Sequence, residues 1–178
     1  MAGSDNIDGA KNICIGSYAG QGLVSGWNNL IIGEYAGSEN TVGNSNVFLG
    51  NYSGLSNTEG STNIFIGKLS GRNNTIGTNN IFMGLASGKL NMDGTENIFI
   101  GVQRGYNNVI GNLNNCIGFQ SGYTLYNANY NTFLGFWSGR MNKSGELNTY
   151  IGAQAGEFAD DGNLNVIVGA YAGSEDTI

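Results

Sequence analysis

The sequence predicts an all-β chain wound as a parallel β-solenoid, and three observations predict it. An asparagine recurs every 17 residues, at Asn12, Asn29, Asn46, Asn63, Asn80, Asn97, Asn114, Asn131, Asn148 and Asn165, with no insertion or deletion. Glycine is phased to that period. With the asparagine as column one of 17, columns five and nine are glycine in every copy, and column fifteen is glycine in every copy but the one that carries Ala128. Counting a partial copy at the start, 30 of the 31 glycines fall in these columns and only Gly22 is out of register. Lastly, columns two to four carry β-forming apolar residues, most clearly in Asn63-Ile64-Phe65-Ile66-Gly67. A fixed phase means that each turn of chain needs special backbone geometry at the same points.

The elements follow in order. Residues 1–11 form the partial copy, with Gly3 in column nine and Gly9 in column fifteen, and ten copies run from Asn12 onward, so that 1–178 is a single solenoid domain. Columns sixteen to four form one run and columns ten to fourteen a second, more polar one. Glycine corners between them predict two strands per turn, each paired in parallel with its equivalent one turn along. A helical repeat is excluded, because three fixed glycines per turn would cost about 1 kcal/mol each relative to alanine. Copies seven to nine drift in column two, to Asn115, Thr132 and Thr149, and become more aromatic. There is no proline and no linker.

Composition bounds the function. A repeat array has no central core and is stabilised by stacking of neighbouring turns, and 40% hydrophobic content argues for order despite the glycine. Seven basic against thirteen acidic residues, net charge −6, with no basic cluster, speaks against nucleic acid as a partner. No apolar run approaches the roughly 18 residues of a membrane helix, and Met1-Ala2-Gly3-Ser4-Asp5 lacks the features of a secretory signal. Neither membrane insertion nor an export signal is expected of this sequence. Cys14 and Cys116 both occupy column three, six repeats apart. At about 4.8 Å per turn they lie roughly 29 Å apart, beyond the ~7 Å limit for a disulfide. They read as small buried hydrophobes or, where equivalent cysteines meet on a symmetry axis, as a bridge between chains.

Side chains alternate along a strand. Column four is aliphatic or Met in every copy and reads as the interior. Column three then points outward, yet it holds Cys14, Ile31, Phe48, Phe65, Phe82, Phe99, Cys116, Phe133, Tyr150 and Ile167. That stripe, about 50 Å long and some 500 Å² in area, exceeds what a monomer ordinarily exposes. Ile31, Phe48, Phe65, Phe82, Phe99, Phe133, Tyr150 and Ile167 are therefore expected to form a self-association interface. The alternative is a roll broad enough to enclose both faces. The column-one asparagines read as a hydrogen-bonded ladder along the axis. In column seven, Tyr18, Tyr35, Tyr52, Trp137 and Tyr171 are candidate glycan contacts, with aromatics covering a corner of the roll as the other reading.

No catalytic, metal-binding or cofactor-binding residue is predicted. The chain has no histidine, unlike the hexapeptide-repeat acyltransferases, and its acidic residues share no column, unlike the ligands of calcium-binding β-rolls. Threonines of column thirteen are too interrupted for ice binding. Asp160-Asp161 and Glu175-Asp176 read as solvated surface rather than a glycosidase pair, and no base stands ready to activate a Cys or Ser.

The core Asn-Ile-Phe-Ile-Gly followed by x-x-Ser/Ala-Gly, phased along the whole chain, resembles the head repeats of YadA-like trimeric autotransporter adhesins and related repeats of phage tail fibres and viral surface fibres. The resemblance implies a left-handed β-roll in each chain and a trimer with the rolls side by side. The expected function is that of a non-enzymatic fibre segment, a rigid homotrimer on a virion or at the cell surface that presents a receptor-binding surface to a glycan or protein receptor. The alternative is an extracellular filament subunit that stacks end to end, since both terminal repeats are in register and uncapped.

Overall fold

The computed structural model describes residues 1–175; Asp176, and Thr177 of column thirteen, lie outside them. Ten strands are formed, one per turn: β1 (Ile13–Ile15), β2 (Leu30–Ile32), β3 (Val47–Leu49), β4 (Ile64–Ile66), β5 (Ile81–Met83), β6 (Ile98–Ile100), β7 (Asn115–Ile117), β8 (Thr132–Leu134), β9 (Thr149–Ile151) and β10 (Val166–Val168). They make one parallel sheet in sequential order. Its register pairs each residue with its equivalent 17 positions on, as in Ile64↔Ile81, Phe65↔Phe82 and Ile66↔Met83. The chain is a parallel β-solenoid.

The second strand expected over columns ten to fourteen is replaced by a succession of turns. Gly67 in column five has φ 126° and Leu69 in column seven φ 62°, which ends β4 after three residues. Ser70 N–H then donates to Gly67 O at 3.2 Å and Asn74 N–H to Gly71 O at 3.1 Å. Column twelve closes the next bend with its side chain. Gly43 N–H donates to Asn40 Oδ1 at 3.0 Å, and Asn40 Nδ2 donates back to Gly43 O at 3.2 Å. Such local side-chain bonds support the curled form where asparagine stands, and the copies that carry Leu23, Leu125 or Ala159 in this column curl in the same way without them. Hydrogen bonding between turns continues around the circumference nonetheless, for example from Gly54 N–H to Ser70 O at 2.9 Å and Thr58 N–H to Thr75 O at 3.0 Å.

The inside and outside of the strand are the reverse of the sequence expectation. Ile31, Phe48, Phe65, Phe82, Phe99, Phe133 and Tyr150 are fully buried within a single chain, and Ile167 packs half-buried against the same cluster. Column three is thus the core and cannot be the self-association interface. Column four, expected to be interior, projects outward, with Ile15 57% and Ile117 43% exposed. A 17-residue turn encloses room for one central rank of side chains. The rings fill it because columns eight and nine opposite are small: a Cβ on Gly71 would lie 2.5 Å from the Phe65 ring. Consecutive rings stack at 5.1, 4.9 and 5.0 Å from Phe48 through Phe65 and Phe82 to Phe99. Both cysteines are free; Cys116 is buried in this rank and Cys14 half-buried at its end.

Core volume is conserved between columns three and twelve. Where column three is a ring, column twelve is Asn or a small residue; where it shrinks to Cys14 or Cys116, column twelve becomes Leu23 or Leu125, both buried. A Cβ on Gly122 would meet Cys116 Sγ at 2.6 Å and Leu125 Cδ1 at 2.8 Å, which places both in one space. The longer Tyr150 is matched by the shorter Ala159. Phe82→Cys and Asn91→Leu should each destabilise the chain alone, and the double variant should recover at least about 1 kcal/mol of the summed loss. Chemical denaturation of the double-mutant cycle reads this coupling directly.

Two amide ladders run along the axis. In the first, Asn63 N–H donates to Asn46 Oδ1 at 2.9 Å while Asn63 Nδ2 donates to Gly77 O at 2.8 Å, and the pattern repeats from Asn29 to Asn148. The second lies in column twelve. Asn74, Asn91 and Asn108 each donate Nδ2 to the preceding Oδ1 at 2.7 Å. Side-chain hydroxyls add to these: Ser70 and Ser87 of column eight donate to the Phe82 and Phe99 carbonyls at 2.8 Å. Most buried amides and hydroxyls are satisfied in this way; among the described residues Asn108 Oδ1, both amide atoms of Asn142 and the Tyr150 hydroxyl have no partner.

Arg104 interrupts the pattern, standing where other copies have Ser or Ala. It is 5% exposed, and burial pulls its guanidinium down to about 10. Nη1 donates to Val102 O at 2.9 Å, but Nε has no partner among the described residues. The backbone responds at this interval. Gly118 N–H makes no bond to Ile100 O, the equivalent of the 2.8 Å bond from Gly50 N–H to Ile32 O, and the Gln120 N–H to Val102 O bond stretches to 3.4 Å against 2.9 Å one turn earlier. Arg104→Ser should therefore raise stability by about 1–2 kcal/mol, because it removes a buried, incompletely bonded charge. A higher urea midpoint at unchanged slope would show it.

Candidate functional site

One surface feature grows from the strand alternation. With column three inside, columns two and four of all ten strands form one outward face. In β1 to β6 every position on it is Ile, Leu, Val or Met, and along its whole length there is no charged residue. In β7 to β9 column two turns polar with Asn115, Thr132 and Thr149. Beside it, column six becomes apolar in copies five to eight, where Leu85, Val102, Phe119 and Phe136 are all exposed. The apolar track thus shifts sideways by two columns along the rod. In copies two and four column six is charged instead, with Glu34 and Lys68, and elsewhere Glu157 is a buried carboxylate. Arg140 and Glu157 pair at 3.3 Å, and Lys143 and Asp160 at 2.5 Å.

The second feature is the corner at column seven. All ten residues there have a left-handed backbone, from Gln120 at φ 50° to Leu69 at φ 62°, whatever the side chain. Bonds between turns hold the corner, as in Tyr52 N–H to Glu34 O at 2.9 Å. The geometry projects each side chain from the same edge. Of the glycan candidates, Tyr18, Tyr35 and Tyr52 are brought together as a stack, with centroids 4.7 and 5.4 Å apart. Burial first, then the neighbouring Tyr18 and Tyr52 phenols and Glu34, hold the Tyr35 phenol above its ordinary value. Trp137 and Tyr171 lie apart, five and seven repeats beyond Tyr52. Arg140 lies 4.5 Å over the Trp137 ring and Phe136 stacks on it at 4.6 Å, while its indole N–H donates to Gln120 Oε1 at 3.0 Å. Stacking turns ring faces toward one another, so the tyrosine stack presents ring edges and hydroxyls.

Chemistry-bearing groups do not converge. Burial pushes the Cys116 and Cys14 thiols above their ordinary range, away from the thiolate a nucleophile needs. Among the described residues no group of three or more His, Cys, Asp or Glu is placed to hold a metal ion, and no helix is long and apolar enough to cross a membrane.

Column two, absent from the expected interface, now lines the outward face. The signal for it was present in the sequence: invariant Gly, with Ser or Ala before it, marks the wall that must face a ring, and the joint Cys-with-Leu exchanges mark columns three and twelve as partners.

Fold and surfaces together define a β-solenoid of the structural-repeat class. The chain matches no protein-family model, no curated protein and no solved structure.

Proposed function

We propose that the chain is a non-enzymatic, rod-like segment of a phage tail fibre or bacterial surface adhesin, assembled as a trimer, that presents a receptor-binding surface to a cell-surface glycan or protein. The observation that carries this reading is the column-seven corner. There Tyr, Leu, Ala, Gln and Trp occupy one backbone conformation at constant spacing, so the scaffold leaves the displayed side chain free to vary. A stiff rod bearing several equivalent edges raises avidity without a strong single site. The Tyr18–Tyr35–Tyr52 stack is the segment of that edge best suited to sugar hydroxyls, since its phenols lie side by side.

Binding of the labelled protein to bacterial cells and to immobilised glycans tests the reading, with Tyr35→Ala/Tyr52→Ala as the comparison. Saturable binding that falls at least tenfold in the variant supports it. Absence of binding by the wild-type chain, or binding indifferent to both substitutions, removes the tyrosine edge as the recognition surface.

A further inference from the structure

On the basis of the receptor-binding reading above, we propose that the axial row of column-ten side chains from Arg72 to Arg140 binds an acidic polysaccharide laid along the rod. This row is a second surface, apart from the Tyr18–Tyr35–Tyr52 stack.

Charge is segregated here. Columns five to eleven of copies four to eight hold five of the seven basic residues, Lys68, Arg72, Lys89, Arg104 and Arg140, and none of the thirteen acidic ones. Along the sequence these cations stand apart and form no run; winding at 17 residues per turn brings them onto one side. Arg104 turns into the corner, where Nη1 donates to Val102 O, and Lys68 stands in column six. Column ten displays the others in one row, Arg72, Lys89, Tyr106, Tyr123 and Arg140, all half-buried. Contacts link its members. Lys89 Nζ donates to the Tyr106 hydroxyl at 2.8 Å, and the Tyr106 and Tyr123 rings stack at 5.4 Å. Arg140 closes the row, lying over the Trp137 ring and paired with Glu157 of the next turn.

Two of these cations lack a counter-charge. Among the described residues neither Arg72 nor Lys89 is paired with a carboxylate, and Arg72 Nε is buried without a partner. In a chain of net charge −6 carboxylates are plentiful, yet none is placed on this side of copies four to eight. A partly desolvated guanidinium is best satisfied by a carboxylate or sulfate, to which it donates two parallel bonds.

Ring geometry selects the polymer. Tyr106 and Tyr123 turn their faces to each other, so bases cannot stack on them, and single-stranded nucleic acid loses the contribution it draws from aromatic side chains. Outward they offer edges and hydroxyls, and the Tyr106 oxygen, accepting from Lys89, keeps its own proton to donate. Hydroxyl-rich sugar rings that carry acidic groups match that order, with cations at Arg72 and Lys89 and phenols at the next two turns. Four intervals of about 4.8 Å make the row ~19 Å long, room for a few sugar rings of an extended chain.

Fluorescence anisotropy of the labelled wild-type chain against polygalacturonate, dextran sulfate and neutral dextran tests this, with poly-glutamate and oligo-thymidylate as competing polyanions. Binding to polygalacturonate or dextran sulfate that neutral dextran does not match, and that falls with rising salt, is the expected result. The stronger of the two distinguishes carboxylate from sulfate as the acidic group. Arg72→Gln/Lys89→Gln should weaken binding at least tenfold, and Tyr106→Phe/Tyr123→Phe, which keeps the stack, at least threefold. Lys11→Gln/Lys143→Gln removes the same charge from other columns and should leave binding within about twofold. All three double variants should keep the far-ultraviolet circular dichroism spectrum, since none of these side chains lies in the central rank. Binding to neither acidic polysaccharide, equal loss in the two charge variants, indifference to both phenol hydroxyls, or tighter binding to poly-glutamate or oligo-thymidylate overturns the assignment. Polysaccharide binding without attachment to cells would leave the row standing and sink the adhesive reading; attachment to cells with no affinity for either acidic polysaccharide would do the reverse.

Discussion

Phe65→Ala is expected to lower the free energy of unfolding by about 3–5 kcal/mol. The ring is fully buried and stacks on Phe48 at 5.1 Å and on Phe82 at 4.9 Å, so its removal leaves a void in the middle of a continuous rank. Relaxation cannot close that void. The turns above and below are held at fixed separation by their ladders, and Gly71 opposite has no side chain to move inward. Urea denaturation of the single variant measures the loss. A change under about 1 kcal/mol would mean that the ring contributes little and that the ladders alone hold the rod. Phe65→Asp should prevent folding, since an unpaired carboxylate would be buried in the same space.

Gly67→Ala is the second large effect, expected at about 3 kcal/mol or more. Gly67 sits at φ 126°, a conformation closed to residues with a Cβ, and an added methyl would lie 2.6 Å from the carbonyl oxygen of Gly84 in the next turn. Both conformational strain and collision with backbone act together, and neither is relieved by a rotamer change. Leu69, two residues on, marks the contrast. It already holds a left-handed backbone with a half-buried side chain, so Leu69→Ala should cost only about 1 kcal/mol, from lost packing and not from strain. Thermal unfolding of the two variants side by side separates a corner that glycine must occupy from one that any residue can. Equal destabilisation by both would refute the distinction.

Much of this architecture was legible in the residues. The Asn12-to-Asn165 spacing foretold the pitch, the parallel register and the column-one ladder. Its failures have a common physical origin. Alternation along three residues says that columns two and four share a face, but it does not say which face is enclosed. Uniform aliphatic character in column four reads as the mark of the interior, whereas the enclosed rank is the one opposite Gly71 and Ser70, where only backbone and a hydroxyl leave room for the Phe65 ring and its neighbours. The predicted second strand failed because that run bends at the same points in every copy, whether column twelve is Asn40, Leu23, Leu125 or Ala159, so no single residue type in it announces the turns. Ala128 shares its turn with Leu125, but copy one pairs Leu23 with Gly26, so nothing in the structure explains the alanine. Arg104 had no signature beyond its column, and its effect on the Gly118 interval could be seen only once neighbouring turns were in place.

The direction of the backbone bonds has a mechanical consequence. Because Val47 N–H reaches Asn63 O and Gly54 N–H reaches Ser70 O one turn along, these links lie parallel to the rod. Tension applied to the two ends loads them interval by interval, in series, so the outermost turn peels before its neighbour yields. Each released turn of 17 residues pays out ~58 Å of extended chain in exchange for ~4.8 Å of rod. A chain wound in this way lengthens in steps under load while the turns still wound remain intact.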